Sequence, residues 1–179
     1  MTLSTDAATV TLNTLHSRYR RKFFTPRRVA RISIFIALSA VGALTKIPSP
    51  TGTVALDSSI GYFAAATFGY REGALIAAIG HLLSSFTTGF PLGLPVHLYI
   101  AAQMAVWVII YRYCTVRIHV IAGIIVGTLL NGFGSAYLMV PFGGYGLAAA
   151  LVLPLTIGSL ANIVIASMAY SIVKKSNMV

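Results

Sequence analysis

Apolar residues run almost unbroken from about residue 29 to residue 173, interrupted only by short clusters of Gly, Pro and charge. The runs fall at 29–46, 56–69, 73–90, 96–113, 118–140 and 147–173. None shows the period-two alternation of a membrane β-strand. Most have 18 or more residues, enough for a helix to cross ~30 Å of hydrocarbon. The pattern predicts an all-α membrane protein with six transmembrane helices over 29–175, preceded by a basic arm over 1–28. The second run is the short one, with 14 residues.

Charge decides whether that short run is counted as a span. The chain is 57% hydrophobic and only 9% charged, yet its net charge is +10. Seven of the thirteen basic residues (Arg18, Arg20, Arg21, Lys22, Arg27, Arg28 and Arg31) lie just before or at the start of the first apolar run. That is the position of a cytoplasmic topology signal, and it argues against nucleic acid as the partner. With six spans and both termini cytoplasmic, Arg71, Arg112, Arg117, Lys174 and Lys175 join them, leaving Lys46 alone outside. Five spans would turn four of these residues outward. Small residues at Ala40, Gly42 and Ala43 resemble a signal-peptide end, but the preceding basic region is too long, and an uncleaved first span is expected. The single cysteine, Cys114, permits no internal disulfide.

In this topology the loops 47–55, 91–95 and 141–146 are external and rich in Pro and Gly. The stretch 80–103 is the least like membrane filler, because His81, Ser84, Ser85, Thr87, Thr88, His97 and Gln103 surround a Gly/Pro turn. Polar groups there need protein, a cavity or a solute to face. Only three carboxylates exist. Asp6 belongs to the arm, and Glu72 beside Arg71 reads as a helix-end pair. Asp57 either caps the second helix, binds solute or pairs with Lys46, which can equally snorkel to headgroups. His81 lies mid-span and reads as helix glue, whereas His97 begins the fourth span near the outer face. No carboxylate or cysteine shares their helical faces, so no metal site and no cofactor are expected. Asn131 and Asn162 are mid-membrane amides suited to interhelical bonds or to a heterocycle edge. Phe90, Tyr137 and Phe142 belong to an aromatic set that fits an interfacial belt or a stacking pocket.

The first span carries small residues at helical spacing, Ser33, Ala37, Ala40 and Val41 among them, a pattern that lets another helix approach closely. No nucleotide, nucleophile or zinc-protease motif is present, so the chain carries no energy source and is not expected to be an enzyme. Two rivals are a membrane-embedded enzyme using Asp57, His81 and His97, and a purely structural membrane subunit.

The basic N-terminus, the six short spans, the stretch KIPSPTGTVALDSSIGYF from Lys46 and the following GALIAAIGH from Gly73 resemble substrate-binding S components of energy-coupling factor (ECF) transporters. The longer stretch from Gly52 to Ala105 is most similar to the cobalamin-related branch, which takes up α-ribazole or cobalamin. The resemblance implies a prokaryotic cell-membrane protein that captures a vitamin from outside and topples to release it inward. Its implied partners are a transmembrane coupling subunit (EcfT) and two ATPases. In the family an AxxxA motif of the first span meets the coupling subunit. Here Ser33, Ala37 and Val41 occupy that place, with Ala40 beside them, a partial match. The expected substrate contacts are Lys46, Asp57, Thr87, Phe90, His97, Asn131, Tyr137 and Phe142, with Phe90 and Phe142 stacking on a benzimidazole ring.

Overall fold

The computed structural model describes residues 25–49 and 52–176, so most of the expected basic arm lies outside the described residues. In chain order the elements are α1 Pro26–Leu44, β1 Lys46–Ser49, β2 Gly52–Ala55, α2 Ser58–Phe68, α3 Tyr70–Thr87, α4 Leu94–Arg117, α5 Val120–Tyr137 and α6 Val140–Lys175. Met1–Ile34 and Phe35–Val179 are two compact units, and the packing described below is internal to the second. Six helices match the six apolar runs. Among the described residues α4, α5 and α6 are long and apolar enough to cross a membrane. α2, at 11 residues, rises only ~16 Å, about half the hydrocarbon thickness.

The stretch 47–55 departs from the expected loop. It forms an antiparallel ribbon in which Lys46 faces Ala55 and Ile47 faces Val54. The β-branched residues Ile47, Thr53 and Val54 suit this pairing. The Leu56 amide donates to the Thr45 carbonyl at 3.2 Å and closes the base of the ribbon.

α2 and α3 form a hairpin joined by a single residue, Gly69, whose φ of 133° is open to glycine. The helices touch backbone to backbone. A Cβ on Gly61 would meet that of Ala77 at 2.7 Å, and one on Gly73 would overlap Ala65. Small residues at this seam let two polar backbones approach without leaving a void. The last carbonyls of α2, which lack intrahelical partners, are held from α4. The Arg112 guanidinium donates to the carbonyls of Ala65 and Ala66, placing a cation at the negative end of the helix.

Around this seam lies the main apolar cluster, with Tyr62, Val108, Tyr111 and Ile163 fully enclosed. Tyr62 and Tyr111 meet edge to face at 5.0 Å, and the Tyr111 hydroxyl bonds Ser167 at 2.8 Å. This is the packed end of the bundle.

Two irregular stretches shape the opposite end. α5 is α-helical to Thr128, passes through a π-helical stretch at Leu129–Gly134, and resumes at Ser135. α6 is broken near its start by Gly143 and Gly144, the latter at φ 67°, where the sequence predicts the 141–146 turn. Its regular part follows that break.

Candidate functional site

Between the ends of α2, α3, α4, α5 and α6, beside Ala55 of the ribbon, lies a cavity of about 270 Å³. Its lining mixes aliphatic side chains such as Ile100, Met104 and Leu155 with a concentration of polar groups. That combination is the usual make-up of a small-molecule site, with an apolar wall and a few placed hydrogen-bonding groups.

Asp57 reaches the site through backbone geometry. Its carbonyl accepts from the Ser39 hydroxyl of α1 at 2.8 Å, and Ser84 of α3 lines the cavity with it. Asp57 makes no side-chain cap bond to α2. That work falls to Asn162 on α6, whose Oδ1 accepts at 2.9 Å from the amide of Ser59, 103 residues earlier in the chain. Its Nδ2 donates to the carbonyls of Ala55 at 3.0 Å and Gly158 at 2.9 Å. One buried amide therefore caps α2 and secures the ribbon, and Asp57 lines the cavity beside it.

The two histidines meet although a turn and 16 residues separate them. His97 Nδ1 lies 3.2 Å from His81 Nε2 and 2.9 Å from the Ser85 hydroxyl. Ser85 donates to the His81 carbonyl at 2.8 Å, so the ring nitrogen of His97 is left to donate to Ser85. The Leu92 amide, at 3.5 Å, points at His97 Nε2, consistent with a proton on Nδ1. The helix-glue reading of His81 is thus incomplete, because its ring also lines the cavity. Among the described residues no group of three or more metal-ligating side chains is present.

The π-helical stretch carries Asn131, whose Nδ2 donates to Ser159 of α6 at 2.9 Å. Such stretches insert an extra residue per turn and recur at functional sites. Next to it, Trp107 donates to Ser135 at 2.9 Å.

The cavity brings together Asp57, His97 and Asn131 from the expected substrate contacts. Thr87, Phe90, Tyr137 and Phe142 are not part of its lining, and the Lys46 side chain lies outside the described residues. Thr87 is exposed and bonds the Ser84 carbonyl at 2.7 Å. Phe90 sits in the α3–α4 turn at φ 50°, its ring 5.6 Å from that of His97, where it backs the imidazole. Tyr137 ends an exposed stripe of Ile121, Ile125, Leu129 and Phe133, of the kind that faces lipid. Phe142 is half exposed and packs on Tyr99 at 5.3 Å. Lys46 belongs to β1, and its backbone lies across from Ala55. On α1, Ser33, Ala37 and Val41 are exposed, whereas Ala40 is half-buried. His81, Ser84, Gln103, Ser159 and Asn162 line the cavity without having been placed in the expected site. Their signal was polarity inside apolar runs, which marks them as special without saying what they face.

The sequence model of the family "ECF transporter, substrate-specific component" matches residues 27–173. The chain belongs to the substrate-specific components of ECF transporters. It is thus a membrane protein and the substrate-binding subunit of such a transporter, a family that works with a coupling subunit and ATPases rather than as an enzyme. Comparison with curated proteins finds no match.

Proposed function

We propose that the cavity captures a cobalamin-related solute from outside a prokaryotic cell, with α-ribazole favoured over intact cobalamin or cobinamide. The observation that carries this reading is the cavity itself. At about 270 Å³ it lies at the lower edge of the ~300–1,000 Å³ usual for small-molecule sites. A benzimidazole riboside is of that order, whereas a corrin ring is far larger. The groups offered are Asp57 and Asn131 for hydroxyls, with His81 and His97 as the flat rings beside a heterocycle. Among the described residues no Lys or Arg lines the cavity, which favours an uncharged solute over a phosphorylated one.

Delivery follows from the family. The solute is handed inward through the coupling subunit and two ATPases, and the exposed Ser33, Ala37 and Val41 face of α1 is the proposed docking stripe. Charge distribution supports cytoplasmic termini, which puts the cavity end outside.

A competition assay between α-ribazole, cobinamide and cobalamin on detergent-purified protein tests the substrate. Displacement by α-ribazole alone is expected, and preferential binding of cobalamin overturns the choice. Wild-type uptake by an Asp57→Ala, His97→Ala double variant would overturn the site. Copurification with a coupling subunit and two ATPases checks the assembly.

A further inference from the structure

Among the asparagine and glutamine side chains of the cavity, Gln103 stands apart. Asn131 and Asn162 both have partners in neighbouring helices. Gln103, on α4 one turn and a half beyond His97, is only 7% exposed, yet neither its Nε2 nor its Oε1 has a hydrogen-bond partner. A buried amide left unpaired at both ends is costly, because each group gave up water on folding. Unlike the buried Tyr62 hydroxyl, which also has no partner among the described residues, this amide lines a cavity from which a partner can come.

What completes it is constrained by its chemistry. A carboxamide presents a donor and an acceptor side by side. It is matched by a neutral partner that carries an acceptor and a donor on adjacent atoms, as vicinal hydroxyls or a lactam edge do. Asp57, which lines the same cavity, offers a carboxylate whose oxygens can accept from a solute. A solute with several donors suits that pair, and an anion does not.

We infer that Gln103 is the specificity-determining residue of the site, turning its amide onto an adjacent donor–acceptor pair of an uncharged solute. This rests on the reading of the cavity as the substrate site. It deepens that reading by naming the recognised edge. For α-ribazole the matching edge is the ribose diol, and for a lactam-containing solute it is the ring amide.

The test uses Gln103→Met, which keeps the length and apolar volume and removes both polar atoms. Binding is measured by calorimetry with α-ribazole, with 5,6-dimethylbenzimidazole (the same base without the sugar) and with uracil. Melting of the empty protein is recorded alongside. We expect the variant to bind α-ribazole about 10- to 100-fold more weakly, dimethylbenzimidazole as wild type does, and to melt no lower. Wild-type binding of uracil but not α-ribazole, lost in the variant, keeps Gln103 as the reader and sinks the α-ribazole choice. Unchanged α-ribazole binding by the variant overturns the Gln103 assignment and leaves the substrate reading standing. A clearly lower melting temperature without solute also overturns it, since that marks an amide bonded within the protein. If wild type binds neither α-ribazole nor uracil, the inference and the substrate reading fall together.

Discussion

The two ends of the helical unit are built on opposite principles. At the packed end, glycine and alanine bring α2 and α3 into backbone contact, and Tyr62, Tyr111 and Ile163 fill the remaining space. Its polar contacts include the Tyr111–Ser167 bond and the Arg112 cap of α2, while the buried Tyr62 hydroxyl has no hydrogen-bond partner among the described residues. At the cavity end, a ribbon, a π-helical stretch and a broken helix hold carboxylate, imidazole and amide groups around a space of about 270 Å³. Apolar packing is concentrated at one end, and polar groups are gathered around the cavity at the other. The same helices serve both ends, so a substitution can separate the two roles.

The largest effect is expected at the seam. Gly73→Leu would drive a side chain into Ala65, costing about 3 kcal/mol. Thermal melting in detergent should show it, and a near wild-type melt would mean that the two helices are not held in contact there. Asn162→Ala should cost about 2–3 kcal/mol, because it leaves the Ser59 amide and the Ala55 carbonyl without their partner. It is the one change expected to lower melting and solute binding together, since it bridges the comparison. Asp57→Asn should weaken α-ribazole binding about 10-fold or more while melting shifts little, as a cavity residue with modest packing would. Calorimetry with matched melts checks the separation. At the packed end, Tyr111→Phe should cost about 1 kcal/mol for the lost Ser167 bond and leave affinity unchanged. The smallest effects belong to Thr87→Ala, Tyr137→Ala and Phe142→Ala, which should bind solute within about two-fold of wild type. A ten-fold loss at Tyr137 or Phe142 would return the aromatic residues to the site.

Much of the helical layout was legible, because six apolar runs of the right length leave little alternative. The parts that were not legible are those set by contacts distant in sequence. The Lys46–Ala55 ribbon needs pairing across a turn that reads as loop, and the Ser59 amide at the start of α2 is received by Asn162 of α6. Within the site, Asp57, His97 and Asn131 were conspicuous as polar residues in apolar surroundings. The meeting of His81 with His97 was not, since spacing across a turn does not say which faces converge. Phe90, Tyr137 and Phe142 show the converse difficulty. An aromatic side chain is equally at home against lipid or solute, so composition alone cannot orient it.

The long-range cap of α2 also bears on the order in which the molecule is made. The Ser59 amide is translated 103 residues before the side chain that receives it. At ~5–20 residues per second, that is an interval of about 5–20 s during which the first turn of α2 has no Asn162. The α2–α3 hairpin has its glycine seam from the moment both helices exist, so it can form early. The cavity end cannot be completed until α6 arrives. A nascent chain truncated before Asn162 should therefore carry a formed hairpin and an unfinished cavity, and solute binding would be gained only once α6 has been made.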